Sequence, residues 1–191
     1  MNDKIITGFP EGYEAIKDAT VALEFTMVSD LYTGSLLKTL AASKPSGRFL
    51  ELGSGTGLAT AWIVSGMDEK SSLVAIENNE ILIDVANKNI VDSRVEFLLA
   101  DAYEWLKVYK GERFDFIFAD AMPGKYDLFE ETIAMLNSGG LYIIDDMLPQ
   151  SNWPLGHDEK VRLFISDLEN RDDLLLTKMN WSTGIIIVSK K

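Results

Sequence analysis

The chain contains no cysteine and a single histidine, His157. The first absence excludes disulfide frameworks, thiolate zinc sites and cysteine nucleophiles. The second excludes any centre built on two or more histidines, such as the helical metalloprotease pair or the two-histidine, one-carboxylate iron site. Positive charge is scarce as well: 18 Lys and Arg stand against 30 Asp and Glu, a net charge of −12. A polyanion is held by a positive field, so this balance disfavours nucleic acid as a partner, although a local basic patch is compatible with an acidic chain. No apolar run approaches the ~18 residues of a membrane span, which predicts no membrane partner. Residues 1–14 lack the basic start and apolar core of a signal peptide. These features together predict a cytoplasmic protein.

What is present is ordinary globular material. The 191 residues, 47% hydrophobic, predict one domain, without internal repeats, low-complexity tracts or a linker rich in Pro, Gly or Ser. A chain of this size buries about 70% of its unfolded surface and needs no covalent staple. Residues 13–42 carry apolar positions at helical spacing and predict two helices, ended by Pro45, Ser46 and Gly47. Residues 1–47 are therefore read as a helical cover and 48–191 as an α/β core. The segment before Tyr13 is either a dimer arm, which would make a homodimer, or a loose end.

From Arg48 onward the pattern alternates. Short β-rich runs at residues 48–52, 73–77, 95–99, 114–119 and 141–144 are each followed by a helical stretch, the last over 158–170. The first, fourth and fifth are nearly continuous apolar runs, as parallel strands buried on both faces require. The repeated alternation predicts a doubly wound, Rossmann-like sheet with helices on both faces. At the carboxyl end no helix fits between residues 174–179 and 185–189, so these form an antiparallel pair around Asn180, Trp181, Ser182, Thr183 and Gly184.

Ligands of doubly wound sheets bind at the carboxyl ends of the strands, near the switch in strand order. There the sequence places Phe49-Leu50-Glu51-Leu52-Gly53-Ser54-Gly55-Thr56-Gly57. Small residues let the backbone turn tightly and approach a ligand closely. The G-x-G-x-G spacing departs from the dinucleotide fingerprint, since Leu58 stands where that pattern has its third glycine. A ligand-free strand–helix turn is the plainer reading, and acids at the ends of the next strands weigh against it. Glu77, followed by Asn78, ends the second strand, where a carboxylate can accept both hydroxyls of a ribose. Asp101 ends the third and can accept from an adenine amino group, with Ala102 leaving room for the ring.

From about residue 27 to the end, these features resemble the class I S-adenosylmethionine-dependent methyltransferases. Glu51 to Gly57 is similar to that family's first motif, and the terminal hairpin to its reversed seventh strand. The resemblance implies a seven-stranded, mostly parallel sheet and S-adenosylmethionine as cofactor. It further implies that Glu51, Gly53, Ser54, Gly55 and Gly57 approach the methionine part, with Glu77 and Asn78 at the ribose and Asp101 and Ala102 at the adenine. An acidic mouth suits the sulfonium and ammonium of that cofactor.

Two further segments narrow the branch. Phe116 to Ala121 and Leu141 to Asp146 are similar to the two metal-bearing motifs of the catechol and caffeoyl-CoA O-methyltransferases. A helix running from Met27 through Gly34 and Leu37 is similar to their cofactor cover. This resemblance implies Mg2+ held by Asp120, Asp145 and Asp146, with Met27 and Asp120 also beside the cofactor. Oxygen-only ligation of this kind suits a hard cation. Two positions depart from the pattern. Asp146 stands where the family has Asn, and Pro123 replaces the family's catalytic lysine, leaving Lys125 two positions further on.

The candidate catalytic residues are therefore Asp120, Lys125, Asp146 and His157. His157 also reads as the start of a helix, and a lone histidine says little. The loop 146–157 suits a substrate wall, with Trp153 able to stack on an aromatic acceptor, whereas Trp62, Trp105 and Trp181 serve packing. The function predicted is methyl transfer to an oxygen of a small molecule. The alternatives are a protein or RNA acceptor, and a non-catalytic cofactor-binding module. Base-amino methyltransferases carry two prolines and an aromatic after the strand-4 Asn or Asp, a pattern that Asp120-Ala121-Met122-Pro123 breaks.

Overall fold

The computed structural model describes residue 2, residues 5–151 and residues 153–191. Met1, Asp3 and Lys4 of the suggested dimer arm, and Asn152 of the 146–157 loop, lie outside the described residues. Two helices, α1 (Tyr13–Ala22) and α2 (Leu31–Ala42), come first. Then follow β1 (Arg48–Leu52), α3 (Leu58–Gly66), β2 (Ser72–Glu77), α4 (Glu80–Asn89), β3 (Val95–Leu99), α5 (Ala102–Val108) and β4 (Phe114–Ala119). A short turn of helix α6 (Met122–Lys125), α7 (Phe129–Ala134), β5 (Leu136–Ile144), α8 (His157–Glu169), β6 (Leu174–Met179) and β7 (Ile185–Lys190) complete the chain. None of the described helices is long and apolar enough to cross a membrane.

The seven strands form one sheet in the order β3-β2-β1-β4-β5-β7-β6. Pairings from β3 across to β5 are parallel, and β7 runs antiparallel to both β5 and β6. The direction of winding reverses between β1 and β4, and helices lie on both faces. Successive strand residues face opposite sides. Leu50, Leu52, Ile117 and Ala119 join the core that includes Leu106 of α5, Ile133 of α7 and Phe164 of α8. Phe49, Phe116 and Phe118 join the other, beneath Leu37 of α2 and Ile63 of α3. Glu51 shares the parity of Phe49 and so points at α3. This alternation within apolar strands is what turns one carboxylate into the interior.

The predicted element order holds, with three corrections. The expected helix through Met27 is not formed: residues 23–30 link α1 to α2 without helix. Asp30 stops it, being extended (ψ 178°) and accepting the backbone N–H groups of Tyr32 and Thr33 at 2.9 Å as the N-cap of α2. Second, β5 begins at Leu136 rather than 141, because Leu136 pairs with Phe114 across an irregularity in the ladder. Third, the last helix begins at His157, one residue early. The tryptophans expected to pack do so: Trp62 is buried against Phe9 and Tyr13, Trp105 stacks on Tyr109, and Trp181 lies against Tyr32.

The helical cover is tied down at both ends of the chain. Ser182 Oγ donates to Asp30 Oδ2 at 2.6 Å, joining α2 to the β6–β7 turn, and Thr20 and Thr56 hydroxyls meet at 2.7 Å, joining α1 to the glycine loop. Helices α2 and α3 approach closely through Gly66, where an added Cβ would stand 2.1 Å from the Lys38 carbonyl oxygen. Because the obstacle is backbone, Gly66→Ala should destabilise the fold by about 1–3 kcal/mol in urea denaturation. An unchanged midpoint would show that the two helices can part at no cost.

Candidate active site

Two cavities open at the carboxyl ends of the strands, on either side of Asp120. One, of about 380 Å³, is lined by Phe25, Met27, Gly53, Gly55, Glu77, Asn78, Asp101, Ala102 and Asp120, among others. The other, of about 300 Å³, is lined by Ser29, Asp120, Lys125, Tyr126, Asp146, Gln150, Trp153, His157 and Thr183, among others. Met27, Asp120 and Ala121 border both. A larger cavity, about 570 Å³, lies elsewhere between Pro10, Ala61 and Arg94, away from these carboxylates.

The first cavity is shaped by the turn from β1 into α3. Gly53 has φ +88° and an added Cβ there would stand 2.9 Å from the Asp120 carbonyl oxygen, so the two strand ends meet only if this position has no side chain. Glu77 fastens the turn from the next strand: its Oε2 accepts Gly55 N–H at 2.9 Å, and its Oε1 accepts the N–H groups of Asn78 and Asn79 at 2.9 Å. Asp101 is exposed and caps α5 by accepting Tyr103 N–H at 2.8 Å, while Ala102 is buried behind it. Met27, which is 72% exposed, stands over the opening.

Glu51 is fully buried and accepts from Thr60 Oγ1 at 2.5 Å through one oxygen. Its other oxygen, Oε1, and the Ser54 hydroxyl are buried with no hydrogen-bond partner among the described residues. Such atoms are rare in folded proteins and point to an absent ligand or water. Burial pushes the Glu51 carboxyl up to about 8, against a smaller lowering by Thr60; the Asp120 and Glu77 charges add to the rise.

The second cavity is built by the ends of β4 and β5 and the segments after them. Asp120 accepts from Ser29 Oγ at 3.1 Å through Oδ2, and its Oδ1 lies 3.5 Å from Lys125 Nζ. Burial raises its carboxyl to about 7; Lys125 opposes that rise, while Asp145 and Asp146 add to it. Asp145 Oδ1 accepts from Thr183 Oγ1 at 2.6 Å and from Asp146 N–H at 2.9 Å, and burial raises this carboxyl too. Asp146 adopts φ +62° and accepts from Gln150 at 2.6 Å. His157 Nε2 lies 3.4 Å from the Tyr126 hydroxyl, and its ring meets Trp153 edge-on, with centroids 4.7 Å apart.

Every residue expected around the cofactor except Glu51, Ser54 and Gly57 therefore borders the first cavity, and these three lie in or behind the loop. Asp120, Lys125, Asp146 and His157 border the second. The expected cation ligands Asp120, Asp145 and Asp146 stand after the ends of β4 and β5, each engaged by other donors. Among the described residues no group of three or more acidic or histidine side chains is arranged to hold a metal ion. The reason is visible in the partners just named: Ser29, Thr183 and Gln150 engage the carboxylate oxygens, and an ammonium stands beside Asp120. These donors, with Thr60 and Tyr126, were not singled out in the sequence, where hydroxyl and amide residues are too common to carry a signal.

Residues 50–147 match the model of a methyltransferase-domain family, and the chain belongs to that family. The catechol O-methyltransferase of Mycobacterium tuberculosis is 25% identical over 152 residues, which cover 76% of this chain and 69% of that protein. The chain spans about half the length of the relatives from Mycobacterium ulcerans and Mycobacterium marinum, 52% in each case. The O-methyltransferase TomG of Streptomyces achromogenes, solved with SAM, superposes with a TM-score of 0.83 at 20% identity, covering 99% of this chain and 93% of that one. An O-methyltransferase of Bacillus cereus, solved with SAH, gives 0.83 at 22% identity, with coverage of 99% and 94%. These superpositions show a shared fold over nearly the whole chain, including the reversed last strand.

The buried glutamate makes stability depend on pH. Its folded-state carboxyl at about 8 lies above the ordinary 4.5, so the folded form holds the proton more tightly than the unfolded chain. Its contribution is therefore complete below about pH 4.5 and is lost as pH rises through about 8. Glu51→Gln, which cannot ionise, should gain in thermal stability relative to the parent between about pH 5 and about pH 8. A gain independent of pH would contradict the assignment.

Proposed function

We propose that the protein is an S-adenosylmethionine-dependent O-methyltransferase of a small hydroxylated molecule, with residues 48–191 as the cofactor-binding core and 1–47 as its cover. The observation that carries this reading is the meeting of two cavities at Asp120. One is bordered by a glycine turn and strand-end acids, the other by titratable and aromatic side chains. The buried, unpartnered Glu51 Oε1 and Ser54 Oγ fit a ligand that carries an ammonium group and hydrogen-bond donors. The relatives' names point to the same chemistry.

Bound in the first cavity, S-adenosylmethionine supplies a methyl group activated by a sulfonium. Gly53, Ser54, Gly55 and Gly57 give the close backbone approach, and Glu51 stabilises the ligand's positive charge from behind the loop. Glu77 and Asn78 would hold the ribose, and Asp101 and Ala102 the adenine. Met27 and Asp120, which border both cavities, would separate cofactor from acceptor. In the second cavity Asp120 accepts the acceptor's hydroxyl proton, since its carboxyl lies near neutrality rather than in the usual carboxylate range. With the cofactor bound, the oxygen so deprotonated would take its methyl group, with the electron pair of the broken C–S bond remaining on sulfur. Asp146, Lys125 and His157 orient the acceptor, and Trp153 walls its ring. Holding the two partners in line supplies much of the rate.

Transfer of a labelled methyl group to hydroxylated aromatic acceptors tests this reading, with the expectation that Asp120→Asn lowers kcat by about a hundredfold or more. Wild-type turnover in that variant would remove Asp120 from the reaction. Binding should also release protons, because Glu51 is held protonated near neutrality and an ammonium group placed beside it favours its ionised form. The calorimetric heat of S-adenosylhomocysteine binding at about pH 7 should then vary with the ionisation enthalpy of the buffer. A heat independent of buffer would contradict a role for Glu51 in binding.

A further inference from the structure

Asp120 follows β4 and Asp145 and Asp146 follow β5, whose ends lie side by side in the sheet, and carboxylates held near one another are stable only with a cation or with protons on some of them. The chain itself supplies a cation. After β4 the backbone reaches Pro123 (ψ 138°) and turns at Gly124 (φ +89°), both outside helical dihedrals. The turn is anchored on three sides: Gly124 N–H donates to Asp127 O at 2.7 Å, Tyr126 N–H donates to Met122 O at 3.2 Å, and the buried Tyr142 hydroxyl donates to Gly124 O. A Cβ at Gly124 would stand 2.5 Å from Leu52 Cδ1, so the turn needs glycine for space as well as for its dihedrals. Its consequence is that Lys125, two residues beyond Pro123, is carried back over the strand ends. Lys125 is only 4% exposed, an unusual burial for a lysine, and its Nζ faces Asp120 Oδ1 at 3.5 Å.

We propose that the Lys125 ammonium, delivered by the Pro123–Gly124 turn, fills the cation position among Asp120, Asp145 and Asp146, so that this site binds its acceptor oxygen without a divalent metal ion. This deepens the methyltransferase reading and rests on it for the identity of the acceptor. The remaining donors agree with it. Ser29 occupies Asp120 Oδ2, Thr183 and the Asp146 amide occupy Asp145 Oδ1, and Gln150 occupies Asp146 Oδ1. A hard divalent cation needs several such oxygens aimed at one point. The field of Lys125 extends to Asp145 as well as Asp120. A buried ammonium offers its donors to an oxygen that becomes negative as its proton leaves.

Mn2+ alone is the probe, followed by the loss of its free electron paramagnetic resonance signal, with Asp120→Asn protein as the reference for binding to surface carboxylates. Wild-type protein should take up no more Mn2+ than that reference. Lys125→Met keeps an unbranched stem and removes the charge, so it should take up additional Mn2+, and adding Asp120→Asn to it should abolish the gain. Wild-type uptake above the reference overturns the proposal, as does folded Lys125→Met protein with no gain. Should Lys125→Met fail to fold, Lys125→Gln is judged by the same criterion and the wild-type arm stands on its own. Calorimetry with S-adenosylhomocysteine on the same wild-type sample separates the two claims: absence of binding there rejects the methyltransferase reading, whatever the Mn2+ result.

Discussion

Everything at the strand ends follows from the reversal of winding between β1 and β4. Right-handed crossovers carry the chain outward from β1 through β2 and β3, and from β4 through β5 on the other side. The loops leaving β1 and β4 therefore diverge, and a crevice opens between them that no side chain of either strand fills. Gly53 lets the two strand ends touch at its base, against the Asp120 carbonyl. Glu77, at the end of β2, and Asp101, after β3, line one side of the crevice, and Asp146, after β5, lines the other.

The same reversal explains why two buried carboxyls stand near neutrality. Glu51 lies on β1 and Asp120 directly after β4, the two strands that bound the crevice; each is desolvated by burial, the Asp120 charge adds to the rise at Glu51, and those of Asp145 and Asp146 add to the rise at Asp120. Removing charge from water in this way is costly unless a partner is present. For Asp120 the partner is Lys125, whereas for one oxygen of Glu51 none is present among the described residues. The fold thus holds one acid that is compensated internally and one that awaits positive charge from outside. That division matches an acceptor side that does chemistry and a cofactor side that binds.

Much of this was legible in the sequence. The bounds of β1, β3, β4 and β6 follow from β-rich apolar runs ended by turn residues, and the reversed β7 from the lack of room for a helix after Met179. The glycine turn and the acids of β1, β2 and β3 could be placed because strand ends are where ligands bind in such sheets. Less was legible where local chemistry competed with pattern. Met27 falls at helical spacing, yet Asp30 starts α2 after it. The apolar run marks β5 only from Leu141, yet the strand begins at Leu136 because that residue finds a partner in Phe114. The position of Lys125 could not be read at all, since it depends on a positive φ at Gly124 and on the hydroxyl of Tyr142, eighteen residues away.

The central claim is that the nucleoside and the acceptor occupy adjoining cavities that meet at Asp120. Crystals soaked with S-adenosylhomocysteine test it most directly. Difference density is expected along the glycine turn, with the adenine at Asp101 and Ala102, the ribose at Glu77, and the sulfur directed at Asp120. Density confined to the cavity between Pro10 and Arg94, or a sulfur facing away from Asp120, would contradict it.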